Sequence, residues 1–223
     1  MNKNDKLIEQ DKIEFSKNEL ELIDKVLKKQ NFSHKSWEDD EIKELRDRIK
    51  KHYIVKQEYT CPYCRQINKT LNGRVWDIEH IISRISEPNF MFEPKNLCVS
   101  CIDCNLEKKD KKVTISKAKK KLPNNSSDYL IVHPHFDTYN DKIVVIEPGS
   151  YYIAKKDSDK GKTTIEICGL NRFYKFSNYD NSIDITSKIN SLSKRLSNCK
   201  DELEKNEILK EITKLSLDKL TSS

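Results

Sequence analysis

The stretch CPYCRQINKTLNGRVWDIEHII, residues 61–82, holds the decision about this fold. It opens on Cys61 and Cys64, passes the turn signal Asn72-Gly73, and ends on Asp77, Glu79 and His80 set among Ile78, Ile81 and Ile82. Taken alone, WDIEHII describes a half-exposed strand whose polar side carries two acids and an imidazole. The sharper reading is a metal ligand beside a general base. So short a motif cannot separate the two, and the flanking sequence has to. Downstream, Cys101-Ile-Asp-Cys104 repeats the C-x-x-C spacing, with 36 residues between the two pairs. Each pair offers two thiolates from one tight turn, and four thiolates complete a closed tetrahedral zinc site. That site would clamp the two ends of an insert containing His80, and would contribute on the order of 10 kcal/mol to folding it. Unpaired structural thiols and redox pairs are the other readings of these four cysteines. Cys98, Cys168 and Cys199 lack a partner at this spacing and read as small buried apolar residues.

The 223 residues suffice for one sizeable domain or two small ones. Charged residues make up 35%, hydrophobic residues also 35%, and the net charge is +6. This balance predicts exposed helices or arms around a modest core and favours an anionic partner. The N-terminal MNKNDKLIEQDKIEF has no apolar segment of the signal-peptide type, and no run reaches the roughly 18 apolar residues that span a bilayer. A cytoplasmic protein without membrane association is expected. Cysteines in such a chain read as metal ligands rather than as a disulfide framework.

The predicted fold class is α+β. Residues 1–56 form a helical preface. Ser16 and Glu19 make a capping box, Phe15 staples to Leu20, and Leu20, Ile23 and Leu27 share a face. A second helix is predicted from near Ser36 to Lys56, buried through Ile42, Leu45, Ile49 and Tyr53. Residues 57–122 hold the cysteine frame, with a β-rich stretch at 74–82 and one helix running from beyond Pro94 to Pro123. Residues 123–180 suggest strands in YLIVH, KIVVIE, YYIAKK and TTIEIC. Residues 181–223 return to helix, with stripes Ile185, Ile189, Leu192, Leu196 and Ile208, Ile212, Leu215.

Taken together, CPYC, DIEHII and NLCVSCIDCNLEK resemble the HNH endonucleases, whose ββα-metal core sits in a C-x-x-C…C-x-x-C zinc frame. The resemblance covers residues 58–112. It implies that His80 is the general base and that Asn96 steadies the loop between strand and helix. It further implies that Asn105 and Glu79 hold a catalytic divalent metal, with Asp77 as an alternative or outer carboxylate, and that Lys108 meets phosphate. Ser83 stands where the family has proline, and EPNFMFEPK replaces its glycine-rich turn. Asn105 in place of a histidine makes this an H-N-N variant.

The chemistry of phosphodiester hydrolysis agrees with those roles. An imidazole with an ordinary pKa near ~6.5 can take a proton from water at neutral pH. Oxygen ligands suit Mg2+ or Mn2+, acting as Lewis acid and template. The implied cofactors are a structural Zn2+ and a catalytic Mg2+ or Mn2+, and the expected products carry 5′-phosphate and 3′-hydroxyl ends. DNA is the expected substrate, with RNA as second candidate. Family analogy adds a role in phage defence and a defence-system ATPase or other regulatory subunit as partner, while the Ile/Leu stripes of the terminal helices offer a surface for a homo-oligomer. Lys109, Lys111, Lys112 and Arg84 are expected at phosphates, although such a lysine run is also what a solvated face looks like. His133, His135 and Asp137 of HPHFD could share one side of a strand as a second metal site, but Pro134 favours a loop. The competing reading is a catalytically inert, zinc-stapled adaptor that binds nucleic acid or protein.

Overall fold

The computed structural model describes residues 12–70, 74–116, 120–173 and 185–221. Its architecture is α+β, with two small antiparallel sheets among helices. Helix α1 spans Lys17–Leu27, and its capping box is formed as the sequence predicts, with Ser16 and Glu19 satisfying each other's backbone N–H groups. The buried face differs from the expected one. Ile23 and Val26 point inward, whereas Leu20 is 53% exposed. The second helix is shorter than predicted. His34–Glu38 and Asp40–Ile42 form 3-10 turns, and α2 proper runs Lys43–Lys56. Its stripe of Ile42, Leu45, Ile49 and Tyr53 is buried as read from the sequence.

Strand β1, Trp76–His80, pairs antiparallel with β2, Leu97–Cys101, in a register that sets His80 opposite Leu97 and Trp76 opposite Cys101. Helix α3, Ile102–Lys108, follows β2 directly. The single long helix predicted beyond Pro94 is therefore a strand and a seven-residue helix. LCVSC is buried throughout, and a short apolar run of that kind cannot be assigned by periodicity. Lys109 ends α3 with φ of 47°, outside the helical region. Both α2 and α3 pack on the β1–β2 pair. The free edge of β2 would leave Val99 with unpaired backbone groups. Buried Gln57, at the end of α2, takes both: its Oε1 accepts from Val99 N at 2.8 Å and its Nε2 donates to Val99 O at 2.7 Å.

The remainder builds on this unit. Strands β3, Ile143–Glu147, and β4, Tyr151–Ala154, form a hairpin turned at Gly149, whose φ of 91° suits glycine. YLIVH forms no strand beyond an isolated bridge from Tyr129 to Thr114. TTIEIC, predicted as strand, lies in helix α4, Asp159–Ile167, and the turn after it. Gly161, Thr164 and Cys168 are buried at helical spacing, and a Cβ on Gly161 would sit 2.3 Å from Lys142 O. Packing has overridden β-propensity there. Helices α5, Ile185–Asn198, and α6, Glu202–Thr221, pack on each other, and α6 reaches β3, where Lys214 pairs with Glu147 at 2.8 Å. Asn72-Gly73 and Lys117 and Lys119 of the lysine run lie outside the described residues. Among the described residues, no helix is long and apolar enough to cross a membrane.

Candidate functional site

The four cysteines of the frame converge. The sulfurs of Cys61, Cys64, Cys101 and Cys104 lie within 4.8 Å of one another, and all four residues are buried. Cys64 and Cys101 are 3.7 Å apart, far beyond a disulfide bond. Thiolates held at about 2.3 Å from a tetrahedral zinc stand roughly 3.8 Å from each other, so this spacing fits the ion. The cluster is positioned to hold a metal ion, and its donor set suits Zn2+. Four thiolates around Zn2+ carry a net negative charge, and the surroundings answer it. The Cys101 N–H points at Cys61 Sγ at 3.5 Å, and Arg172 brings a guanidinium nitrogen to 4.0 Å from Cys104 Sγ. The β3–β4 region seals the first knuckle. Tyr139 Oη donates to Tyr63 O at 2.7 Å, and Tyr152 Oη donates to Cys64 O.

Beside this frame, β1 and α3 form the floor of a groove of about 640 Å3. Residues 77 and 79 share one side of β1, facing α3. Asn105 Nδ2 donates to Asp77 Oδ2 at 2.8 Å, and both side chains line the groove. One turn further along α3, the Lys108 ammonium lies 2.6 Å from Glu79 Oε1 and donates to His80 O at 3.1 Å. Tyr63 Oη donates to the same Glu79 oxygen at 3.0 Å.

Two sequence expectations change here. Lys108, expected at phosphate, is 0% exposed and committed to a buried ion pair. Glu79, expected on the metal, is 2% exposed and held by Lys108 and Tyr63. Burial pushes its carboxyl up, against the pull of the Lys108 ammonium. Glu79 lines the groove as well, but Asp77 and Asn105 are the pair there that is joined by a hydrogen bond, from Asn105 Nδ2 to Asp77 Oδ2, and, among the described residues, outside any ion pair. Breaking a buried pair strands the remaining charge, so Lys108→Met is expected to cost about 3–5 kcal/mol in urea unfolding of the zinc-loaded chain. Lys108→Met combined with Glu79→Leu should recover most of that loss. A Lys108→Met chain as stable as wild type would contradict the pairing.

His80 ends β1 on the opposite side. Its Nε2 lies 3.2 Å from Met91 O, and a carbonyl only accepts, so Nε2 carries the proton and Nδ1 keeps a lone pair. Trp37 meets the imidazole edge-on at 4.5 Å between ring centroids. Burial, then the Arg84 charge, push the His80 pKa down to about 3, while the Met91 carbonyl opposes and Lys108 adds to the fall. The imidazole is therefore neutral at pH 7. Asn96 fixes the loop that closes over it. Its Oδ1 accepts from Ile82 N at 2.7 Å, and its Nδ2 donates to Ile82 O and Phe90 O, each at 3.1 Å.

The cations expected at phosphates separate. Lys109 and Arg84 line the groove, with Arg84 also gripping His34 O and the Glu38 carboxylate. Lys111 and Lys112 turn away, donating to Ile167 O and Ile115 O at 2.9 Å each. Trp37 and the α2 residues Arg46 and Lys50 also line the groove, none of which the sequence reading assigned to the site. Their proximity depends on a tertiary contact between the preface and β1, and no local motif encodes it. HPHFD is a turn: Asp137 accepts from His133 N at 2.7 Å and pairs with Lys160, while His135 Nε2 meets Leu97 O at 2.8 Å. Among the described residues, the four cysteines are the cluster of His, Cys, Asp and Glu placed to share a metal. Comparison with family models, with curated proteins and with solved structures returns no match.

Proposed function

We propose that this chain is a metal-dependent endonuclease of the HNH type, hydrolysing phosphodiester bonds in DNA. One observation carries the reading. A neutral histidine whose Nδ1 keeps its lone pair lines one groove with Asp77 and Asn105, which are joined by a hydrogen bond from Asn105 Nδ2 to Asp77 Oδ2, on a β–β–α unit whose ends meet in four cysteines. Hard oxygen donors of this kind fit Mg2+ or Mn2+. When bound there, the cation would supply Lewis-acid stabilisation of the scissile phosphate and of the leaving oxygen.

The chain's own residues would do the rest. Asp77 and Asn105 would hold the cation, and Asn105 Nδ2 orients the Asp77 carboxylate. Met91 O fixes the His80 tautomer. His80 Nδ1 takes a proton from a water as its oxygen bonds to phosphorus and the P–O3′ bond breaks; the departing oxygen is protonated from solvent. An imidazole with a pKa near 3 is a weak base. The phosphodiester anion beside it favours the imidazolium and raises that value, so basicity rises as substrate enters. Lys109 and Arg84 offer positive charge to the bound backbone, while Asn96 keeps the loop from shifting His80.

The inert-adaptor reading draws on one observation, that Glu79 is sealed by Lys108 and Tyr63. Titration of zinc-loaded chain with Mn2+, followed by electron paramagnetic resonance, separates the two. Wild type should bind Mn2+, and Asp77→Asn should weaken binding roughly 10- to 100-fold, the loss typical even of residues that only orient a ligand. Glu79→Gln should retain it. No Mn2+ binding by wild type, or equal binding by Asp77→Asn, would favour the adaptor.

A further inference from the structure

A second groove, about 440 Å3, lies on the other part of the loop between β1 and β2. Four lysines line it: Lys12 before α1, Lys95 at the end of the loop, and Lys120 and Lys121 from the end of the lysine run. Asn89 and Asn124 add neutral hydrogen-bonding groups, and Glu93 is its acid. Lys12, Lys120 and Lys121 are exposed, while Lys95 is half-buried with its ammonium 5.3 Å from the centre of the Phe136 ring. Among the described residues, none of the four forms an ion pair with a carboxylate.

A solvated lysine run is local in sequence. Here lysines from three separate stretches line one concave surface, with one acid, Glu93, among them and Lys95 resting on the Phe136 ring. That arrangement is favourable when an anion enters. The β1–β2 loop joins the groove to the candidate site: its Ser83–Ile85 part lines the groove of His80, and its Asn89–Lys95 part lines the lysine groove.

We propose that this lysine groove binds the phosphate backbone of DNA outside the scissile bond. The inference rests on the nuclease reading and extends it to how substrate is held. Phosphates in the groove would be neutralised by Lys12, Lys95, Lys120 and Lys121, with Asn89 and Asn124 donating to the same oxygens. Recognition of that kind positions DNA without reading its bases.

The test uses full-length zinc-loaded chain carrying His80→Ala, so that the labelled DNA duplex stays intact, and reads Kd by fluorescence anisotropy from 50 to 200 mM salt. The groove variant adds Lys12→Ala, Lys95→Ala, Lys120→Ala and Lys121→Ala. A control variant removes four exposed lysines elsewhere, through Lys17→Ala, Lys28→Ala, Lys156→Ala and Lys162→Ala. The groove variant should bind at least tenfold more weakly, and its slope of log affinity against log salt should be shallower by about 3.6, as expected for the loss of four phosphate contacts on a duplex. The control should change far less. Equal affinity and slope in groove variant and parent would overturn the proposal, as would an equal loss in the control. Loss of RNA binding with DNA binding unchanged would overturn it too, reassigning the groove. Cleavage by the chain with His80 intact is scored separately, so an inactive enzyme counts against the nuclease reading and leaves the groove comparison readable.

Discussion

Cys101→Ser is expected to bind no zinc at the four-cysteine cluster and to lose the cooperative fold of the β1–β2–α3 region. Cys101 ends β2 and begins α3, its N–H bonds Cys61 Sγ, and its sulfur stands 3.7 Å from that of Cys64. A serine hydroxyl is not ionised at neutral pH and is a poor partner for a thiolate-selective ion. Structural zinc contributes about 10–16 kcal/mol, against a whole-domain stability of about 5–15 kcal/mol. Packing around the frame cannot offset such a loss. Metal analysis of the purified chain, with near-ultraviolet circular dichroism from Trp76 and Tyr63, reads the outcome. Both rings are fully buried beside the frame and should lose their signal when it opens. A zinc-free Cys101→Ser chain with a native spectrum and an unchanged unfolding midpoint would mean that the frame is held by packing alone.

The second large effect is kinetic. His80→Ala should lower cleavage by about 10²- to 10⁴-fold, the range expected for removal of a positioned general base. Folding should survive, because buried His80 makes one hydrogen bond through its ring among the described residues, to Met91 O, and packs on Trp37 at the wall of the groove. The pH profile gives a sharper readout. An unperturbed histidine would lose about 30-fold of its neutral form between pH 8 and pH 5. With the pKa pushed down to about 3, the free imidazole stays neutral across that interval. The His80 contribution to kcat/KM should therefore be flat there and fall only below about pH 4. A limb centred near pH 6.5 that disappears in His80→Ala would show that the imidazole is not held as the structure has it.

Much of this arrangement is legible in the sequence where the signal is local. The Ser16–Glu19 capping box, the α2 stripe and the four cysteines at their spacing each state their own geometry, and each is found. The failures share a physical cause. Short apolar or β-branched runs suggest helix for LCVSC and strand for TTIEIC, but burial by neighbouring elements decides such segments. The charge of Lys108 suggests a phosphate contact, yet its ammonium is turned inward by Glu79, two elements away in the chain. Trp37, Arg46 and Lys50 reach the groove because α2 packs on β1. Tyr63 did carry a clue, lying inside the CPYC knuckle, where a side chain must point toward the insert or away from it. Its bond to Glu79 ties the zinc frame directly to the strand that bears His80.

The proposed activity is hydrolysis of phosphodiester bonds with a divalent cation, in the groove of His80, Asp77 and Asn105. Relaxation of supercoiled plasmid by the zinc-loaded chain at low salt tests it most directly, with Mg2+ or Mn2+ added or withheld. The expected result is nicking that requires the added cation, leaves 5′-phosphate and 3′-hydroxyl ends, and is lost in His80→Ala. Nicking by His80→Ala at the wild-type rate would contradict it.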